Sequence, residues 1–145
     1  MIYDPSTLPA IVDNELAARL EDHARHARGA YSPETERAVR NDTAMFSAWC
    51  TDNGRQMLPA SPETLVAFVD DVSGTRAPAT IRRYLSSIAH LHRGAGVDTP
   101  TTAEIVKLAI KRVTKGRARQ HQAAALNRQL GIVTLSALTS IDSSV

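Results

Sequence analysis

Pro78-Ala-Thr-Ile-Arg-Arg-Tyr-Leu-Ser-Ser-Ile-Ala-His-Leu-His-Arg93 is the stretch on which the reading of this chain turns. At helical period, Ile81, Leu85, Ile88 and His92 recur at i, i+4, i+7 and i+11, and Tyr84 and Leu91 widen the stripe. That spacing predicts a helix with this side in a core. The opposite row holds Thr80, Arg83, Ser87 and His90, flanked by Arg82, Ser86 and Arg93. Small hydroxyls between arginines let a helix lie close to a phosphate backbone while long cationic arms reach base edges. An ordinary solvated helix face has the same composition, so the remainder of the chain has to separate the two readings.

A chain of 145 residues suits one domain with a core of moderate size. Glycine is sparse, aromatics make up 4%, and Ala, Leu, Arg and Glu are plentiful, which predicts an all-α fold, a compact bundle of four to five helices. A single cysteine, Cys50, excludes an intrachain disulfide framework and a Cys-rich zinc site, and fits a cytoplasmic location. The sequence holds no apolar run long enough to span a bilayer and no basic-then-apolar leader at its start. Charge is distributed unevenly. Residues 1–72 contain six Lys/Arg against twelve Asp/Glu, and residues 73–145 contain eleven against three. A basic half points to a polyanionic partner, nucleic acid first and an acidic protein surface second. Mutual neutralisation of the two halves within the fold is the plainer alternative.

Outward from the central stretch, helix signals repeat. Residues 1–12, with Pro5 and Pro9, read as an irregular lead-in. Asp13 caps a first helix to about Arg28, whose thin, alanine-rich stripe of Leu16, Ala17, Leu20, Ala24 and Ala27 suits contact with a partner protomer, and Gly29 ends it. His23 and His26 lie at i, i+3 without further ligands and read as solvated. Ser32-Pro33-Glu34 opens a second helix over about 33–52, burying Val39, Phe46 and Cys50, with Met45 and Trp49 beside them. Its far side shows Arg37, Arg40, Asn41, Ala44 and Ser47, and an asparagine of this kind can pair with adenine. The same Ser-Pro-Glu-Thr string starts a third helix at Ser61, running to about Ser73 with Leu65, Phe68, Val69 and Val72 inward. Asp70 and Asp71 diverge by roughly 100° on it and cannot act as a dyad. His90 and His92 point to different sides of the fourth helix, against a shared metal. Thr101-x-x-Glu104 reads as a capping box for a fifth helix to about Lys115, followed by a basic, mobile-looking segment over 116–122 and a tail poor in charge from Leu130.

No nucleotide loop, zinc-binding His-Glu-x-x-His, nucleophile elbow or paired acid and base is present at workable spacing. The chemistry in view is binding, and neither a cofactor nor a metal is expected. Trp49-Cys50 on the second helix, Pro59-Ala60-x-Pro62-Glu63 before the third, Thr80-Ile81 with Leu85 on the fourth, and Leu91-His92-Arg93 at its end resemble the core-binding domain of tyrosine recombinases and integrases, a SAM-like helical fold. The resemblance runs from Glu34 to Lys115. Helix one fits loosely, and the tail after Asn127 does not fit.

That resemblance implies half of a clamp around duplex DNA, with the second and fourth helices crossing the major groove. The implied DNA-facing positions are Thr35, Arg37, Ala38 and Asn41 on the second helix. On the fourth they are Ala79, Thr80, Arg83, Ser87, His90 and Arg93, to which the residue pattern adds Arg82 and Ser86. It also implies self-association on DNA through the first and fifth helices, over inverted half-sites. The family's chemistry requires a separate domain with an Arg, Lys, His-x-x-Arg and His/Trp constellation and a nucleophilic tyrosine. The tyrosines here are Tyr3, Tyr31 and Tyr84, within or before the binding domain. The expected organisation is a lead-in over 1–12, a DNA-binding helical domain over 13–115, and a basic linker and tail over 116–145, with no strand cleavage by this chain alone. A stand-alone, non-catalytic regulator occupying such sites, and a helical protein-interaction module, are the alternatives.

Overall fold

The computed structural model describes residue 2 and residues 13–142, with side chains as far as residue 131. Five α-helices and one 3-10 turn make up these residues, with no strand among them: α1 (Asn14–Ala27), α2 (Pro33–Asp52), α3 (Pro62–Val72), α4 (Pro78–Gly94), the turn Pro100–Thr102, and α5 (Glu104–Asp142). The protein is an all-α bundle, as its periodicity and composition predict. The lead-in expected over residues 1–12 lies outside the described residues except for Ile2, which is buried in the core.

The caps explain where the first helices begin. Asp13, Ser32 and Ser61 each place a side-chain oxygen on a backbone N–H of the first turn: Asp13 on Glu15, Ser32 on Thr35 and Ser61 on Thr64. Pro33, Pro62 and Pro78 occupy the first helical positions, where a missing N–H costs nothing. Gly29 and Gly54, at φ of 79° and 63°, turn the chain out of α1 and α2 in a conformation open to glycine.

Packing is organised by aromatic rings. Phe46 of α2 and Phe68 of α3 meet edge to face at 5.1 Å, Trp49 meets Phe68 at 5.3 Å, and Tyr84 of α4 lies 6.2 Å from Phe68. Trp49 is half-buried because its indole N–H donates to the Asp71 carboxylate at 2.7 Å, leaving that edge in contact with solvent. α2 packs along α4, and α3 along α5, through Leu65, Val69, Val106 and Ala109. Cys50 lies in the α2 stripe, where burial, only partly offset by Arg55, pushes its thiol up to about 12, so it behaves as a small apolar residue.

His92 is the polar centre of the core. Fully buried, its Nδ1 lies 2.8 Å from the Ile88 carbonyl, and its Nε2 accepts the Ala60 N–H at 2.9 Å. An amide donor at Nε2 requires the ring to be neutral, with its proton on Nδ1 donated to Ile88. Desolvation holds the imidazole pKa below its ordinary value. The ring therefore ties α4 to the segment that carries the chain from α2 into α3.

Two expectations at the C-terminal side are corrected. Thr101 does not cap α5. Thr99 caps the 3-10 turn instead, accepting the Thr101 N–H, and α5 starts after Ala103. Nor does the helix stop near Lys115. It continues through Asp142, 39 residues or roughly 58 Å at 1.5 Å per residue. No proline follows Pro100, and the run of Arg, Gln, Ala and Leu after Gly116 favours helix strongly enough to carry both Gly116 and Gly131. The segment expected to be a mobile linker is the distal part of α5.

Candidate nucleic-acid interface

Where α2 and α4 run side by side, the residues between them are small: Ala38 on one helix, Ser86 and Ser87 on the other. Their size leaves an open groove of about 490 Å³, lined by Tyr31, Glu34, Thr35, Ala38, Val39, Arg83, Ser86, Ser87 and His90. Of the positions expected to face DNA, Thr35, Ala38, Arg83, Ser86, Ser87 and His90 are thus brought to one surface. Arg37, Asn41, Ala79, Arg82 and Arg93 are exposed outside that groove, and Thr80 is half-buried. Arg82 is directed elsewhere, donating from Nη2 to the Thr114 hydroxyl of α5 at 2.9 Å.

A residue that periodicity alone passes over holds two of the groove's lining residues, Arg83 and Ser87. Asp42 is only 3% exposed, yet it is a carboxylate inside the α2 stripe, between Val39 and Phe46. Three donors from α4 satisfy it. Arg83 donates from Nε to Oδ2 at 3.2 Å and from Nη2 to Oδ1 at 3.0 Å, and the Ser87 hydroxyl donates to Oδ2 at 2.8 Å. A two-point guanidinium–carboxylate contact is among the stronger polar contacts a protein makes, and it fixes the guanidinium plane. The Arg83 side chain remains 56% exposed, so the fork is held at its root and open at its tip. The hydrogen bond to Asp42 raises the pKa of Arg83 further above its ordinary value.

Ser47 therefore does not sit on an outer face, as its place in the row suggests, and Ser87 meets the groove as a buried residue. Both are buried, Ser87 because its hydroxyl serves Asp42 and Ser47 because α2 turns that side inward beside Phe46 and Cys50. Thr43 is also buried on α2, its hydroxyl donating to the Val39 carbonyl.

Also lining the groove, His90 is half-buried between two rings, edge-on to Tyr31 at 5.1 Å and to His23 at 5.5 Å. Burial, then the charges of His23 and Arg93, push the His90 pKa down, so near neutral pH it offers a polar ring and no charge. His23 is accordingly part of this cluster and not a solvated residue, whereas His26 is exposed, 3.9 Å from Asp22. His90 and His92 do face different sides of α4. Among the described residues no group of three or more His, Cys, Asp or Glu side chains could hold a metal ion.

A second basic surface lies across the bundle. Arg76, Arg112 and Arg117 line a cleft of about 240 Å³ between the start of α4 and α5, with Asp70 accepting from Arg112 at 3.5 Å. Along α5, Ile105 and Leu108 are exposed beside Val66. Among the described residues no helix is long and apolar enough to cross a membrane.

No family model matches the chain. Two curated proteins are similar to it. Over 130 residues it is 29% identical to recombinase Cre of Escherichia phage P1, covering 83% of this chain and 38% of that protein. Over 72 residues it is 33% identical to an integrase/recombinase XerD homolog of Selenomonas ruminantium, covering 50% of this chain and 21% of that one. The chain spans less than two fifths of the length of either relative. Both similarities support the kinship with tyrosine recombinases to which the Trp49-Cys50, Pro59-Ala60 and Leu91-His92-Arg93 motifs point.

Proposed function

We propose that this chain is the DNA-gripping part of a tyrosine-type recombinase or integrase, taking duplex DNA against α2 and α4 in DNA recombination or integration. The observation that carries the reading is the groove between those helices. Small residues there admit a phosphate backbone closely, and Arg83 lines it with its guanidinium plane held by Asp42 and its side chain 56% exposed. Arg37 and Asn41 beside it on α2, and Arg93 on α4, extend the surface with exposed cations and an amide. Similarity to two recombinases and the basic second half of the sequence support DNA as the partner. Strand cleavage is assigned to residues outside this chain. On inverted half-sites two copies would meet through α1 and α5, for which the exposed Ile105 and Leu108 are suited.

Selection of bound duplexes from a random pool, followed by titration at several salt concentrations, tests this. Enrichment of an inverted repeat is expected, with an affinity that falls steeply as salt rises. Arg83→Ala should cost about 1–3 kcal/mol at one base pair and relax preference there, while Lys111→Ala, on an exposed side of α5, should leave preference unchanged. Absence of any salt-dependent duplex binding at low ionic strength would sink the reading. Partner capture that survives both Arg83→Ala and Asn41→Ala would favour a protein-interaction module.

A further inference from the structure

We infer that Asp42, which lies too deep to touch DNA, is the positioning residue that makes Arg83 a reader of guanine. This rests on the DNA-gripping reading above and adds to it the chemistry of the base contacted. An arginine guanidinium carries five N–H donors in a rigid plane. Asp42 takes the Nε hydrogen and one Nη2 hydrogen. Three hydrogens remain, two on Nη1 and one on Nη2, and one from each nitrogen forms the outer edge, a parallel pair of donors. On a base-pair edge in the major groove, two adjacent acceptors are offered by guanine, at O6 and N7. Adenine offers one acceptor and one donor there, and cytosine and thymine present no such pair.

A free arginine samples many rotamers and meets phosphate as readily as base, and its ordering entropy opposes a specific contact. At this site the ordering is done before DNA arrives. The carboxylate is buried, its Oδ2 is held by Ser87 as well, and Arg83 lies in the groove that α2 and α4 form. A purely structural ion pair would account for the tie between the helices. It would not call for an arginine side chain left more than half exposed in the lining of the groove. The pair fixes the direction of the remaining donors, and that direction is the specificity.

The experiment compares wild type, Arg83→Ala and Asp42→Asn on duplexes varied one base pair at a time, with affinity for an unrelated duplex and the thermal midpoint measured alongside. Arg83→Ala should lose about tenfold discrimination for one G·C pair. Asp42→Asn, which retains Arg83 and its charge, should lose about threefold or more at that same pair, with little change on the unrelated duplex. A lesion of the fold would instead lower both affinities together. Loss in Arg83→Ala with full retention in Asp42→Asn would overturn the inference and leave the DNA-binding reading standing, whereas no binding by wild type removes that reading itself. A measurement on wild type covers the case in which Asp42→Asn does not fold. The Arg83 Nε–H proton should stay protected from exchange in the complex with its selected duplex. Exchange there as fast as at a solvated arginine would show that the arginine leaves Asp42 on binding, and would overturn the inference.

Discussion

Helix α4 crosses two buried polar stations, and they are built on opposite plans. At His92 every polar atom is answered inside the chain, by the Ala60 amide on one side of the ring and the Ile88 carbonyl on the other. The group is neutral and sealed. Five residues earlier in the chain, at Ser87, and again at Arg83, α4 meets the Asp42 carboxylate, a charge with a partner that reaches solvent. Burying a charge costs more than burying a neutral ring, so the second station is the dearer of the two for the same task of joining helices. The difference teaches where to look for function. A closed polar site is explained by the fold it holds, and a charged one left open on one side asks for something outside the chain to complete it.

The contrast breaks first, if it breaks, at His92. Replacing it with alanine leaves the Ala60 N–H and the Ile88 carbonyl without that partner and opens a void where the imidazole was. The expected cost is about 3 kcal/mol in urea unfolding, with sequence preference on DNA unchanged in the folded protein. A large change in base preference at matched stability would mean that the sealed station also serves the interface.

The same station should show in the pH dependence of stability. Burial lowers the His92 pKa in the fold, so the native state resists protonation while the unfolded chain takes a proton near pH 6.5. Stability is therefore full above about 6.5 and declines as pH falls from there toward the depressed native value. His90, lowered for related reasons, adds a slope of the same sign. Unfolding free energies across that window should be flatter in His92→Leu than in wild type, and an unchanged slope would remove His92 from the account.

Much of this was legible in the sequence. The stripe of Ile81, Leu85, Ile88 and His92, the three capping strings and the bounds of α2 and α4 follow from period and local chemistry, because those signals are carried by neighbours within one helix. The burial of Ser87 and Ser47 is not legible in their spacing, for a physical reason. A serine is small enough to suit either side of a helix, and what decides is a partner on another helix, which spacing does not contain. Asp42 did leave a signal, an acid at a core register between Val39 and Phe46, and such an acid implies a buried cation or hydroxyl elsewhere. The register of α5 past Gly116 was hidden differently: one glycine in a run of good helix formers looks like a stop but costs only about 1 kcal/mol.

The two serines give the finest test of the contrast, because they are alike in all but partner. Both are almost fully buried, Ser47 at 1% and Ser87 at 4% exposure, on helices that face each other. The Ser87 hydroxyl donates to a charged acceptor at 2.8 Å, so Ser87→Ala should destabilise by about 1.5 kcal/mol. Ser47 Oγ is buried with no hydrogen-bond partner in the structure. Its hydroxyl was desolvated on folding without return, and alanine removes that cost while conserving nearly all the volume. Ser47→Ala should leave the urea midpoint unchanged or raise it by a few tenths of a kcal/mol. Should it destabilise as much as Ser87→Ala, burial alone would explain both serines. The Asp42 station would then lose its claim to be distinguished by what its partners do.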